Sequence, residues 1–338
     1  MEIHKRNRLS TLAIAILNYN GIGWFEKFLQ KVIDYSPGSS IYVIDNASTD
    51  DSIYYLQKNF PSVKIIQNNK NYGYAGGYNV GLKFISEDIY CLLNSDVQVT
   101  ENWTVPILKL FQDNSNISAI QPKIRSYKEK DYFEFAGAAG GFIDNLGYLF
   151  CRGRVFFSLE KDTGQYNDNC EIFWATGACL FIRREDFWEN EGFDSDFFAH
   201  MEEIDLCWRL KNKGKIIYYC SESTVYHVGG GTLDVYNPEK TYLNFRNNLL
   251  MLIKNLPSDQ VVWIILFRLL LDGLAGIRFL FSNGWKHCWA IVRAHFAVYR
   301  MLPKFLKKRK AGIKKYYNKK YIIFQYFVEK RNTYTRLK

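Results

Sequence analysis

Paired cysteines are missing from this chain of 338 residues. The seven present (Cys91, Cys151, Cys170, Cys179, Cys207, Cys220 and Cys288) are odd in number and scattered, with no C-x-x-C pair or zinc-like clustering. They read as reduced thiols in a cytosolic setting. A secretory apolar segment is also missing. The run Leu12 to Leu17 is too short for one and ends in Asn18-Tyr19-Asn20, so it reads as a first buried strand and export is not expected. No internal repeat is visible. Acidic residues nearly vanish from the C-terminal tail: from Lys304 onward 13 Lys and Arg face Glu329 alone, which gives the tail +12 of a net +10 and leaves the preceding body at −2. A near-neutral body argues against nucleic acid as a partner. A basic tail beside apolar helices points to anionic lipid head groups.

What is there is apolar and aromatic, at 48% hydrophobic with 24 Tyr and 25 Phe. That is enough for a large core and too much for wholesale disorder. Most rings belong to the core, and the excess suits carbohydrate stacking or an interfacial surface.

Short apolar runs at Leu12 to Leu17, Ile41 to Ile44, Val63 to Ile66, Ile89 to Leu93 and Ser118 to Ile120 predict strands, and amphipathic stretches at Trp24 to Tyr35, Asp51 to Phe60 and Asn79 to Ile85 predict intervening helices. The alternation predicts an α/β fold with a doubly wound, mostly parallel sheet. Ligands bind beyond the carboxyl ends of such strands. Each end here is polar or glycine-rich: Asn18 to Asn20, Asp45 to Asp50, Asn68 to Gly77 and Asn94 to Asp96. From about Ser126 to Cys170 the pattern loosens into a Gly- and aromatic-rich loop or β-rich excursion. Strand-like sequence resumes at Ile172 to Ile182 and Lys215 to Tyr219, with an acidic helix start at Glu202.

We divide the chain into a main domain over 1–256, whose halves meet near residue 125, and C-terminal helices with the basic tail over 257–338. Val261 to Leu302 reads as two apolar helices parted near Asn283-Gly284. The first is about long enough to span a bilayer. Arg268, Asp272 and Arg278 nonetheless form one polar stripe, which favours lying in the interface; the alternative is a helix packed on the protein's own core.

Asp96, ending a strong strand run, suits a hard divalent cation, because Mg²⁺ and Mn²⁺ take oxygen ligands and bridge to phosphates with few protein groups. A helix-capping role competes less well, because Thr100 is placed to cap from Glu101 onward. His227 stands before Gly229, Gly230 and Gly231, which would let backbone approach a ligand; a structural histidine is the equal alternative. Glu202, Glu203 and Asp205 open a helix, where the dipole favours carboxylates regardless of function. A sugar hydroxyl also needs a general base, which a carboxylate in a desolvated cleft supplies.

Asn18-Tyr19-Asn20, Val43 to Asp50, Asn71 to Gly81, Leu93-Asn94-Ser95-Asp96, Trp174-x-Thr176-Gly177-Ala178 and Glu202 to Arg209 occur in an order that resembles glycosyltransferase family 2, in the branch of bacterial rhamnosyltransferases and galactofuranosyltransferases. The resemblance covers about Thr11 to Leu250. It implies a GT-A fold and a metal-assisted, inverting transfer from a dTDP- or UDP-linked sugar, with dTDP-rhamnose the first choice. The acceptor would be a glycan or polyprenyl-linked glycan, met peripherally at the cytoplasmic face of the inner membrane. Asn18, Asn20, Asp45, Asn71, Gly73, Gly76, Gly77, Asn79, Asn94 and Asp96 would bind the nucleotide sugar, with Asp45 at the base and the Asn71 to Asn79 loop at the ribose and diphosphate. Asp96 and His227 would hold Mg²⁺ or Mn²⁺. Glu203 would be the base, with Asp205 as second choice, and Trp174, Gly177, Ala178 and Glu202 would shape the acceptor pocket. Arg246 reads equally as a phosphate contact or a helix-surface salt bridge.

Two positions depart from the family pattern. Asn94 stands at the first D-x-D position, and Glu203 replaces the usual Asp, one methylene longer. They leave open a silent glycan-binding homologue. A sugar nucleotidyltransferase fits less well, because Asn18 to Gly23 carries no basic residue.

Overall fold

The computed structural model describes residues 10–229, 237–282, 284–310 and 312–338. The predicted Gly230-Gly231 contact and the Asn283 break therefore lie outside the described residues. The strands are β1 (Leu12–Asn18), β2 (Ser40–Asp45), β3 (Lys64–Gln67), β4 (Ile89–Asn94), β5 (Val97–Val99), β6 (Ile117–Ser126), β7 (Gly141–Ile143), β8 (Leu149–Cys151), β9 (Arg154–Val155), β10 (Ser158–Leu159), β11 (Cys170–Ile172), β12 (Cys179–Arg183) and β13 (Ile216–His227). The helices are α1 (Ile22–Trp24), continued through a π turn into α2 (Gln30–Asp34), α3 (Ser52–Asn59), α4 (Gly73–Gly81), α5 (Val105–Asp113), α6 (Arg184–Glu189), α7 (Glu202–Asn212), α8 (Pro238–Asn255), α9 (Val261–Ser282), α10 (Trp285–Lys307) and α11 (Ile322–Phe327).

The main sheet runs β11-β13-β6-β12-β4-β1-β2-β3, with β5 on β13. Its first half is parallel: β1 pairs with β2 on one side and β4 on the other, and β3 adds to β2. The chain reverses its winding at β1, so the ends of β1, β2 and β4 open onto one crevice. Beyond β4 the sheet is mixed, because β12 is antiparallel to both neighbours while β13 is parallel to β6. The five predicted strands are all present. The run Ile172 to Ile182, which reads as one strand, is broken into β11 and β12 by a turn at 173–178, and the loosened segment folds into the separate sheet β10-β9-β8-β7. The near-continuous apolar runs of β1 and β4 fit strands covered on both faces, and separate cores lie on the two sides of the sheet.

Thr100 does not cap a helix. Its hydroxyl donates to the Thr224 carbonyl at 2.7 Å, and α5 begins only at Val105.

The C-terminal helices also correct the sequence reading. The polar stripe of α9 divides: Arg268 and Asp272 point inward, buried and 3.7 Å apart, with His295 of α10 3.4 Å from Asp272 and Arg268 donating to the Leu146 carbonyl and covering the Tyr148 ring, whereas Arg278 is exposed with its guanidinium over the Phe157 and Phe327 rings. The apolar side faces out. Among the described residues, no helix is long and apolar enough to cross a membrane. The basic tail is a folded strap. Tyr316, Ile322 and Leu337 are buried, the Ile322 N–H donates to Asp144, and Tyr334 stacks on Phe142 and Phe150 of the small sheet.

Candidate functional site

The end of β1 places Asn18 beside the end of β2. Asn18 Nδ2 donates to Asp45 Oδ1 at 2.9 Å, while its own Oδ1 is buried without a partner. Asp45 also accepts the Ser48 hydroxyl at 2.5 Å and the Ser48 N–H at 3.0 Å, which closes the turn after β2. Asn20, in the left-handed region at φ 54°, accepts the Thr49 and Asp50 N–H groups and ties the turn to the end of β1. Asn46, which the sequence reading passed over, is the hub to the next loop: it donates to Asn71 Oδ1 and the Gly73 carbonyl and accepts from Asn68 and the Tyr72 N–H. Asn18, Asn20, Asp45 and Asn71 therefore come together.

Gly73, Gly76, Gly77 and Asn79 behave otherwise. They belong to α4, not to an open loop, and the glycines serve close packing. A Cβ on Gly77 would sit 2.8 Å from Leu17 and 2.9 Å from Asn46, and one on Gly76 would sit 2.9 Å from Tyr72. Gly73 has φ +71° and lies under Phe198, whose carbonyl accepts the Tyr74 and Ala75 N–H groups. The first turn of α4 is thus already capped. Asn79 clamps Phe193 through its N–H and carbonyl, which holds the 193–200 loop rather than a ribose.

Asp96 follows β4, and its carboxylate is buried. Oδ1 lies 3.2 Å from Nε2 of His227, at the end of β13. On the other side of that ring, Nδ1 lies 3.3 Å from Glu134 Oε2, close enough for an ion pair though not aligned as a hydrogen bond. Burial alone would lower the imidazole, but Glu134 and then Asp96 outweigh it and carry His227 up to about 10. Burial would likewise raise Asp96, and His227 holds it below its ordinary value. Glu134, invisible in the loosened segment, completes this row because the 134–140 turn packs beside β6. Its only sequence signal was a carboxylate set in Phe135 to Phe142's apolar, glycine-rich run. Asp96 and His227 would give a two-point hold on a divalent cation, with phosphate oxygens and water in its other positions, only once the ring gives up the proton that Glu134 and Asp96 hold on it. Among the described residues there is no cluster of three or more His, Cys, Asp or Glu side chains arranged to hold a metal.

The acceptor side is built on the first turn of α7. Glu202 is buried, and burial, then the Glu203 charge, holds its carboxyl well above the usual carboxylate range. Glu203 is half-buried, and burial raises it too, against N–H donors of this turn and of Gly177. Among the described residues neither has a cationic partner, and one oxygen of each is buried without a hydrogen bond. The Gly177 carbonyl accepts the Tyr74 hydroxyl at 2.6 Å, and the Ala178 carbonyl accepts the Asn94 N–H at 3.0 Å. The 176–178 turn thus links Glu203 directly to the strand end that carries Asn94 and Asp96. Trp174 is buried beneath this turn, donating to the Phe142 carbonyl and covering Gly141, so it supports the turn rather than lining an open pocket.

Asp205 is not free to act as a base. Fully buried, it accepts from Arg209 at 2.8 Å, Lys254 at 2.9 Å and Asn255 at 2.8 Å. Burial would raise it, but Arg209 and Lys254 pull it below its ordinary value. Its place one turn into the helix points it at α8, whereas Glu203 projects from the tip. Among the described residues Arg246 makes no salt bridge. It donates to the Phe197 carbonyl at 2.9 Å and stacks on Tyr242, steadying the 193–200 loop.

The family model described as Glycosyl transferase family 2 matches residues 13–190. N-acetylglucosaminyl-diphospho-decaprenol L-rhamnosyltransferase of Mycobacterium tuberculosis is 25% identical over 206 residues, 56% of this chain and 66% of that protein. Rhamnosyltransferase WbbL of Escherichia coli is 22% identical over 159 residues, 44% of this chain and 58% of that protein. The chain thus spans just under two thirds of the first relative's length. GalNAc-T7, solved with UDP, GalNAc and Mn²⁺, superposes with a TM-score of 0.57 at 16% identity, over 75% of this chain and 49% of that one. Mannosyltransferase PcManGT of Pyrobaculum calidifontis, solved with GDP-Man and Mn²⁺, gives 0.51 at 11% identity, over 88% and 76%. Both likenesses concern the fold: a GT-A type α/β sheet with added C-terminal helices.

Proposed function

The chain belongs to glycosyltransferase family 2, and from that premise we propose that it is an inverting transferase. It moves a sugar from a nucleotide diphosphate donor to a glycan or polyprenyl-linked glycan acceptor. The donor is dTDP-rhamnose before any UDP-linked sugar, a choice supported by the two rhamnosyltransferase relatives. The work is done peripherally at the cytoplasmic face of the inner membrane, consistent with seven unpaired cysteines.

One observation carries this reading: Glu203, a carboxylate without a cation, is tied through Gly177 and Ala178 to the strand end that holds Asp96. Asp45, Asn18 and Asn20 shape the nucleotide end of the crevice. Glu203 accepts the acceptor hydroxyl's proton as that oxygen attacks the anomeric carbon from the side opposite the diphosphate, which inverts the centre. Its raised affinity for protons suits a base that must take one up near neutral pH. Burial, and then the Glu203 charge, disfavour a second negative charge on Glu202 beside it. A divalent cation held by Asp96 and His227 would neutralise charge growing on the departing diphosphate.

The test is release of free nucleotide diphosphate from a panel of nucleotide sugars, with and without Mn²⁺, for the wild type, Asp96→Ala and Glu203→Gln. Metal-dependent release from one donor, lost in both variants, is expected. Absence of release from every donor, even with candidate acceptors added, would sink the transferase reading in favour of a silent binder.

A further inference from the structure

The outward face of the α9–α10 hairpin is mostly apolar, with Arg278 exposed at its edge on α9. Trp263 is 75% exposed, Phe281 85% and Phe296 68%, with Leu270, Leu274 and Trp285 between them. Solvated helices normally turn such a face inward and their charges outward. Here Arg268 and Asp272 are spent inside, against each other, His295 and the Leu146 carbonyl. A contiguous apolar surface of this kind marks an interaction site.

Charge decides which partner it fits. Between residues 261 and 310 the only acidic residue is Asp272, which is buried, against ten Lys and Arg. At about 100° per residue, Trp285, Trp289, Phe296 and Tyr299 fall on one stripe of α10 opposite buried Ala294, while Lys286, Arg293, Arg300 and Lys304 line one edge of it. A second copy docked face to face would bring these like charges together. An anionic lipid surface would take them on its head groups and accept the apolar stripe at the acyl boundary. Tryptophans on the outer face suit that depth.

We propose that the outer face of α9 and α10 is a membrane-docking surface that lies in the head-group region of an anionic bilayer, inserting its apolar side chains without crossing. This deepens the reading of a membrane-borne acceptor and rests on it only for the partner's biological setting. The surface connects to the site: Lys304 and Lys308 at the end of α10 bind Asp196 and Asp194 in the loop that leads into α7, at 2.7 and 2.6 Å. It also differs from anchoring by the basic tail, which is packed on the small sheet.

The experiment is vesicle flotation of the full chain with phosphatidylcholine alone and with one quarter phosphatidylglycerol, at low and at about 0.5 M salt. Wild type, Trp263→Asp/Phe281→Asp and Lys286→Glu/Arg300→Glu are compared. Wild type floats with anionic vesicles, and brominated lipid quenches its tryptophan fluorescence. The apolar-face variant loses at least about tenfold in partitioning at both salt levels. The basic-edge variant loses binding chiefly at low salt, where screening is weak. All substituted positions are exposed, so circular dichroism and donor hydrolysis without vesicles stay at wild-type levels; that separates a failure here from a failure of the transferase reading. Wild type that does not float, flotation unaffected by the apolar-face substitutions, or a dimer in ultracentrifugation that those substitutions dissociate would each overturn the proposal.

Discussion

Replacing Asp205 with alanine should unfold this protein more easily, while replacing Glu203 with glutamine should stop its chemistry and leave its stability alone. Asp205 binds three groups at 2.8 to 2.9 Å from a fully buried position. Breaking a buried ion pair from one side costs about 3–5 kcal/mol, because the abandoned charge stays in a low-dielectric place. Each abandoned group keeps another acceptor: Arg209 holds the Asn190 and Gly192 carbonyls, Lys254 holds Asp194, and Asn255 holds the Met251 carbonyl. The loss therefore belongs at the lower end, about 3 kcal/mol. Glu203 has no cation to abandon, so Glu203→Gln should change unfolding free energy by less than about 0.5 kcal/mol. Its activity should fall by about 10²–10⁴, the worth of a general base. Urea unfolding and nucleotide diphosphate release on both variants check this. Asp205→Ala protein with wild-type stability and no activity, beside an active Glu203→Gln, would transfer the base to Asp205 and refute the argument from burial and pairing.

Two further outcomes are expected. Glu134→Gln should weaken Mn²⁺ binding, read by electron paramagnetic resonance of the free ion, by about 10–100-fold, the usual effect of removing the carboxylate behind a ligating histidine; unchanged affinity would reduce Glu134 to its bond with the Ala136 N–H. Asp194 is lowered from 3.8 to about 2, burial opposing and Lys254 and Lys308 prevailing. Its contribution of about 2 kcal/mol is present above pH 4 and is lost as pH falls through 2, because the unfolded chain takes up its proton first. Asp194→Asn should accordingly lose less stability than the wild type between pH 5 and pH 2.5 in urea titrations, and equal losses would rule this linkage out.

The primary structure by itself determined the alternation of apolar runs and amphipathic stretches, and with it the parallel half of the sheet and the polar strand ends at Asn18, Asp45 and Asp96. These are local properties: a run of Leu12 to Leu17 can bury both faces only as a central strand. It also marked Glu202, Glu203 and His227 by their neighbours in the chain. Tertiary structure alone decided among groups that look alike locally. Glu203 and Asp205 lie two residues apart on one helix; Arg209 one turn on and Lys254 arriving from α8 neutralise Asp205, with an Asn255 hydrogen bond added, and leave Glu203 without a cation. Gly76 and Gly77 read as loop glycines until Leu17 and Tyr72 come within 3 Å of where a side chain would be. Glu134 reaches His227 from 93 positions away, a separation at which sequence carries no signal. The polar stripe of α9 was legible as a stripe, but its direction was not: periodicity defines two faces of a helix, and what packs against them settles which one meets the protein.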